Sequence, residues 1–278
     1  MNWRKYSVVP LFVLLAACSS STQEGAIGVQ RKQFLLLPTE QVNAMALQSY
    51  RGELSAAQKK GALNTDKANL ERIRKIADRI IPQTAIFRPE APSWAWEVNL
   101  ETRNDLNAYC APGGKIMFFT GIINNLKLTD DEIAAIMGHE IAHALREHGR
   151  ERISQAYAQQ AGMTLLAMVT NMDAKQAAVL QTVTHLGLTL PHGRGQESEA
   201  DVIGLEILAR AGYDPRASIS LWQKMAAANK GAPPAFLSTH PSSNQRINEL
   251  QTKMPTVMPL YEAAKRKPSP VKMIVPRT

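Results

Sequence analysis

One stretch of this chain limits its fold more than any other: a helix that is apolar on every side yet carries two histidines and a glutamate. Residues 133–145 read Ile-Ala-Ala-Ile-Met-Gly-His-Glu-Ile-Ala-His-Ala-Leu. Thr129-Asp130-Asp131-Glu132 stands ahead of it as a capping box, with acids in the first turn where the helix dipole favours them. A helix with no polar face belongs in a protein interior, and an interior does not tolerate imidazole and carboxylate groups without partners. At about 100° per residue, His139 and His143 lie about 40° apart, one turn along the same face. Two imidazoles so placed reach one Zn²⁺ at about 2.0–2.1 Å. The expected cofactor is therefore one zinc ion per chain. Glu140 leaves the helix about 100° from His139; it is off the ligand face but within reach of a water that zinc acidifies, so it is the candidate general base. The plain alternative, a solvated helix with two unconnected histidines, is opposed by the apolar flanks.

A catalytic zinc takes three protein ligands and keeps a fourth position open. The metzincin extension requires Gly three residues after the second histidine and His three further on; this chain has Arg146 and Gly149 there. On a continued helix His148 would face away from His139. The better source is Gln196-Glu197-Ser198-Glu199-Ala200-Asp201. Projected as a helix, Glu197, Asp201, Gly204 and Leu208 share one face, while Glu199 points away from it. Glu197 is the third ligand this projection selects, although a first-turn acid serving the helix dipole explains it equally well. Asp201, one turn on, is placed to accept a hydrogen bond from a ligand histidine and fix its tautomer. Ala200 and Gly204 are small enough to admit another backbone. Glu199 is expected to be solvated or salt-bridged, and His192 exposed in a glycine-containing loop.

The chain has 278 residues, 45% hydrophobic and 20% charged, enough to bury a core and unlike a disordered segment. Two cysteines exclude a disulfide framework. The net charge of +8 is spread along the chain without a nucleic-acid-binding motif, so no nucleic-acid partner is expected. At the amino terminus, Arg4 and Lys5 precede an apolar run over residues 6–17, too short for a bilayer and fitted to the core of a secretory signal. It ends Leu15-Ala16-Ala17-Cys18 before Ser19-Ser20-Ser21-Thr22, which resembles a bacterial lipobox. That resemblance implies cleavage before Cys18 and lipidation of Cys18, with Ser19 matching the pattern sorted to the outer membrane. Residues 1–17 are then a signal peptide and 18–37 a lipid-anchored tether. Cys110 reads as a packed small hydrophobe.

Thr39 caps a predicted helix reaching about residue 60, and Asp66 another reaching about residue 81. Pro82, Pro89 and Pro92 break the pattern. Residues 94–100, 107–110 and 115–120 read as short strands, the last two joined by Pro112-Gly113-Gly114. From Thr129 on, nearly everything is helical. Residues 161–170 are apolar but too few to span a membrane; they read as a core or surface-resting helix. Residues 38–261 form the expected domain, mainly α with a small β-sheet (α+β). Residues 262–278, with Lys265-Arg266-Lys267-Pro268, read as a basic mobile tail.

Taken together, His139-Glu140-x-x-His143, Glu197-Ser198-Glu199-Ala200-Asp201, and Ser238-Thr239-His240-Pro241 with Arg246 resemble the CAAX prenyl protease, HtpX and BepA group of gluzincin zinc metallopeptidases. Asn107-Ala108, Pro112-Gly113-Gly114 and Thr120-Gly121 match the strand pair before the metal helix in that group. The likeness covers residues 66–251. His192-Gly193-Arg194-Gly195 stands where a Ser-Arg pair is expected, and multi-span membrane helices are lacking, which favours the periplasmic lipoprotein, BepA-like branch over prenylated substrates. The resemblance implies a gluzincin-type zinc endopeptidase of the bacterial envelope, an outer-membrane lipoprotein facing the periplasm. Its substrates would be unfolded or misassembled envelope proteins, held as an added strand along Asn107, Ala108 and Tyr109. A different class is an envelope chaperone or partner of the outer-membrane assembly machinery, with zinc structural or latent. His240, held by Arg246, is the candidate oxyanion donor, since every other polar group near the metal is committed to zinc, water or a ligand; the resemblance also allows a second role, a fourth zinc ligand that shuts the enzyme off.

Overall fold

The computed structural model describes residues 18–169, 192–228, 235–240, 244–266 and 275–276. In chain order these form strands β1 (Cys18–Ser19) and β2 (Gln33–Phe34), helices α1 (Thr39–Lys59) and α2 (Lys67–Ile80), strands β3 (Glu97–Glu101), β4 (Ala108–Ala111) and β5 (Lys115–Phe119), and helices α3 (Thr120–Asn125), α4 (Asp130–Leu145), α5 (His148–Val169), α6 (Arg194–Arg210), α7 (Ala217–Ala228), α8 (Ala235–Thr239) and α9 (Asn244–Arg266). Mainly helical with a small three-stranded sheet is the class expected; β1 and β2 add a separate two-stranded one.

Asp66 caps α2 as predicted, its side chain accepting from Asn69 N. α1 differs at its start: Pro38 is the cap residue and supplies no side-chain bond, while Thr39 Oγ1 accepts from Arg150 Nη1 at 2.9 Å. The prolines after α2 give two short 3₁₀ turns, Ile81–Ile86 and Ala91–Ser93.

The sheet order is β3-β5-β4, with β3 parallel and β4 antiparallel to β5. The central strand is buried at all five residues, as a strand covered on both faces must be. Gly113 and Gly114 both turn at φ 81° between β4 and β5, a conformation that costs glycine little. β4 keeps one edge unpaired among the described residues. Phe119 N donates to Asn107 O, and Gly114 N to Ala111 O. By strand alternation, the main-chain groups of Ala108 and Cys110 therefore face the open edge.

α4 is the hub. Thr129 and Glu132 make the reciprocal capping box, and every residue of the helix from Glu132 to its end is buried. It packs on α2, α6, α7 and β4. Its tightest neighbour is α6: a Cβ on Gly204 would stand 2.8 Å from His139 N, and one on Gly138 would stand 3.0 Å from Gly204 O. Two glycines at the crossing let the backbones touch, which sets the two ligand helices at their separation.

Two expectations about the ends are corrected. The segment read as a tether is a strap bonded to the domain. β1 pairs with β2, Ile27 and Leu35 are buried, and Glu206 Oε2 accepts from Ala26 N and Ile27 N at 2.8 and 3.1 Å. The physical reason lies at the end of α4, whose last carbonyls lack partners within the helix. Ser21 Oγ donates to Leu145 O at 3.2 Å, and Gln33 Nε2 to Arg146 O. At the other end, α9 runs to Arg266, and Val275 is buried with its N–H on Asp78 Oδ1 at 3.1 Å, so residues 262–278 are not a free tail throughout. The signal-peptide reading of residues 1–17 lies outside the described residues, as do the side chains of 162–170. No described helix is long and apolar enough to cross a membrane.

Candidate active site

Four side chains, from two helices and the residue after a third, converge. His139 and His143 come from α4, Glu197 from the first turn of α6, and His240 from the end of α8. Their donor atoms all lie within 4.8 Å of one another. His139 Nε2 is 3.0 Å from His143 Nε2 and 3.2 Å from His240 Nδ1. Glu197 Oε1 is 3.0 Å from His240 Nδ1 and 3.4 Å from His143 Nε2, and Glu197 Oε2 is 3.6 Å from His139 Nε2. Ligands about 2.0–2.1 Å from a tetrahedral zinc stand about 3.3–3.4 Å apart, and these separations bracket that value.

The other side of each ring explains why a cation fits. His139 Nδ1 lies 3.1 Å from Asp201 Oδ1, and His143 Nδ1 lies 2.7 Å from His148 Nδ1. With Nδ1 carrying the proton in both rings, both Nε2 lone pairs point into the same dry space, an arrangement that a metal ion resolves and an empty interior does not. Asp201 takes Arg246 Nε at 2.6 Å and Nη2 at 2.7 Å, and Arg246 Nη1 lies 2.7 Å from Glu197 Oε2. Burial works against the ionised forms of Glu197 and Asp201, yet both are held below the ordinary carboxylate range, Glu197 by His240, His139 and Arg246, Asp201 by Arg246 and His139. Arg246, expected to hold His240, meets these two carboxylates. It also lies over the Trp222 ring at 3.9 Å.

Glu140 Oε1 is buried without a hydrogen-bond partner among the described residues and sits 3.4 Å from His240 Nε2. Burial pushes its carboxyl above the usual range, against the pull of His240, His139 and the Cys110 N–H. Glu140 and His143 form the floor of a cavity of about 340 Å³, whose wall includes Asn107, Ala108, Tyr109 and Cys110. The open edge of β4 thus borders this cavity; Asn107 and Tyr109, expected with Ala108 to hold a substrate strand, line it but turn their main-chain groups to β5. Tyr109 Oη bonds Glu53 of α1, which roofs the cavity.

Three histidine and glutamate readings are corrected. His192, expected exposed, lies with its ring 3.8 Å from that of His143 and 4.9 Å from that of His240, tied by its N–H to Thr239 O at 3.1 Å. His148 does not face away: α4 ends at Leu145, Glu147 adopts φ 49°, and the chain turns back so that His148 meets His143. Burial lowers the His148 imidazole to about 4, so it is neutral. Glu199 is salt-bridged but buried, between Arg146, Arg31 and His148. Arg152, on α5, was missed; it lines the cavity, with Nη1 2.8 Å from His192 Nε2. Its only sequence signal was a basic residue following the metal motif.

Comparison with known proteins bears on the same residues. Residues 67–254 match the family described as peptidase family M48, a span that holds all four donors and Glu140. The chain belongs to peptidase family M48. Members of family M48 are zinc-dependent metallopeptidases, in keeping with the donor set here. Among M48 relatives, the mitochondrial metalloendopeptidase OMA1 of Arabidopsis thaliana is 39% identical over 152 residues, 55% of this chain and 30% of that protein. The human metalloendopeptidase OMA1 is 31% identical over 179 residues, 60% of this chain and 34% of that one. The beta-barrel assembly-enhancing protease of Yersinia pestis is 26% identical over 172 residues, 58% of this chain and 35% of the relative. The expected likeness to BepA-like proteins is present, at lower identity than the likeness to the mitochondrial M48 proteins. The chain spans about a third to a half of the length of the first of these relatives.

Proposed function

We propose that this chain is a zinc-dependent endopeptidase of the bacterial cell envelope that cuts misfolded or stalled proteins and rests in a closed state. The observation that carries the reading is one cavity lined by Glu140, by His143 and His240 of the donor cluster, and by the open edge of β4. His139, His143 and Glu197 would hold zinc, and when bound it acidifies water and polarises a carbonyl. The open-edge groups of Ala108 and Cys110 pair with an extended peptide and read little of its sequence. Glu140, desolvated and within the cavity, takes a proton from water and can hand it to the leaving amine. Asp201, with Oδ1 3.1 Å from His139 Nδ1, is placed to accept its proton and fix the tautomer, and Arg246 lies against both Asp201 and Glu197.

For His240 we infer the fourth-ligand role in place of the expected oxyanion donor. Its Nδ1 stands among the zinc donors at 3.0 Å from Glu197 Oε1, and the same ring crowds Glu140. A latent enzyme of this kind also accommodates the chaperone or assembly role, exercised while the site is shut. The test is zinc content and casein cleavage of wild type, Glu140→Gln and His240→Ala. Zinc-loaded protein that cleaves nothing in either the wild type or the His240→Ala form would leave only the assembly role.

The envelope setting rests on the amino terminus, Leu15-Ala16-Ala17-Cys18 after a short apolar run. The relatives named for mitochondria do not speak for it, and the setting is proposed from the amino terminus alone. With Cys18 acylated, the strap would seat the domain against the periplasmic face of the outer membrane. Cys18→Ser should release the protein from the membrane fraction or leave it unprocessed; processed, membrane-bound Cys18→Ser protein would end this reading.

A further inference from the structure

Behind His143 lies a chain of contacts that the reading above does not use. His143 Nδ1 is 2.7 Å from His148 Nδ1, and His148 Nε2 is 3.0 Å from Glu199 Oε2. All three side chains are buried. Glu199 also accepts from Arg146 Nε at 3.0 Å and from Arg31 Nε at 2.6 Å. Arg31 belongs to the amino-terminal strap, and its guanidinium grips Glu151 of α5 at 2.6 and 2.9 Å.

We propose that His148 and Glu199 are positioning residues for the ligand His143, and that the strap, through Arg31, completes their support, so that tight metal binding requires the strap to be docked. The proposal rests on His143 being a metal ligand.

The proton placement follows from the donors and acceptors. An ionised Glu199 only accepts, so His148 carries its proton on Nε2 and presents a lone pair at Nδ1. That lone pair accepts the Nδ1–H of His143, which leaves the Nε2 lone pair of His143 aimed at His139, Glu197 and His240. The two ligand histidines thus differ in their surroundings: His139 has a carboxylate 3.1 Å from its Nδ1, and His143 has a carboxylate acting through an intervening imidazole. Partners of this kind hold ring orientation and ligand basicity. His143, His148 and His192 also gather closely enough to suggest a second metal position. The 2.7 Å contact is a hydrogen-bond length, shorter than the 3.0 to 3.6 Å between donors of the main cluster. The Arg152 guanidinium, 2.8 Å from His192 Nε2, already puts a cation there. The geometry is that of a relay.

The strap reaches the relay from a second side. Arg146, fully buried, donates to Glu199 and also to Ser20 Oγ at 2.9 Å, Thr22 Oγ1 at 3.1 Å and Arg31 O at 2.8 Å. Undocking the strap would therefore strip Glu199 of Arg31 and leave Arg146 short of three acceptors.

The test is zinc affinity of the full chain, by competition with a chromogenic chelator, beside the melting temperature of the metal-free protein. Wild type that binds no zinc would overturn the metal-centre reading, a different failure from those below. His148→Leu should weaken zinc binding by about 10–100-fold. His148→Asn, whose side-chain oxygen replaces the Nδ1 acceptor, should stay within about threefold of wild type. Equal weakening in both variants at unchanged metal-free melting would overturn the proposal, as would a Leu variant that binds like wild type. If His148→Leu does not fold, Arg31→Gln decides. Its side chain is 39% exposed, and zinc affinity should drop by about three- to tenfold at a temperature where the metal-free variant is still fully folded. Unchanged affinity in Arg31→Gln would overturn the strap's part in the site.

Discussion

His240 Nε2 stands 3.4 Å from Glu140 Oε1, while the Nδ1 of the same ring is 3.0 Å from Glu197 Oε1. One imidazole therefore occupies the space between the candidate base and the candidate ligand. Its backbone N–H is tied to Phe236 O at 2.8 Å, and the Phe236 ring stacks on it at 4.5 Å. His240→Ala is expected to raise basal cleavage of an unstructured substrate several-fold while one zinc per chain is retained. An oxyanion donor would behave oppositely, with turnover down by about 10²–10³-fold. Initial rates on casein for the two proteins, matched for zinc content, distinguish the roles.

Glu140→Gln keeps the size of the side chain and removes the proton acceptor. Zinc stoichiometry should remain that of wild type, and turnover should drop by at least about 10²-fold. Metal analysis and cleavage rates on one preparation check both halves, and a variant with full activity would remove Glu140 from the chemistry.

The carboxylates of α6 should separate in order. Glu197→Ala removes a donor atom and should abolish stoichiometric zinc binding. Asp201→Ala removes the acceptor behind His139 and should weaken binding by about 10–100-fold. Chelator competition ranks them, and a Glu197 variant that binds no more weakly than the Asp201 variant would contradict the ligand assignment.

Gly204→Ala tests the crossing of α4 and α6. The added methyl would meet His139 N at 2.8 Å and Gly138 C at 2.9 Å, both backbone, so the helices must part. A cost of about 1–3 kcal/mol in stability is expected, with zinc affinity reduced as Glu197 is drawn from the histidines. Denaturant unfolding of the metal-free variant reads the first effect and chelator competition the second.

Acid should reveal the buried Asp201–Arg246 pair. Asp201 titrates below its ordinary value because Arg246, followed by His139, outweighs burial. A depressed carboxyl adds stability that is fully present above the unfolded value of about 3.9 and is lost as pH falls through the folded one. Metal-free wild type should lose melting temperature steeply below about pH 4. Arg246→Met leaves a buried charge unpaired, a cost of about 3–5 kcal/mol where Asp201 is ionised. The gap between the two proteins should therefore be widest at neutral pH and close as the solution is acidified. A constant gap from pH 3 to 7 would show that the pair does not titrate with folding.

What the sequence determined by itself was local and periodic. The capping box at Thr129, the cap at Asp66, the glycine turn between β4 and β5, and the shared faces of His139 with His143 and of Glu197 with Asp201 all follow from spacing along one element. Even the close approach at Gly204 was legible, because a small residue on a ligand face has few other uses. Tertiary structure alone decided the rest. His148 was lost to helical projection because the helix ends one turn early, at a residue with φ 49°, and a projection carries no information past a break. His192, Arg152 and Arg31 join the site from separate segments, and no periodicity links residues so far apart in the chain. The strap read as a tether because its residues are polar. Polarity does not foretell that Ser20, Thr22 and Gln33 will be the partners that the carbonyl end of α4 and the buried Arg146 require. Local sequence sets which groups must find partners; only the folded chain determines which ones they find.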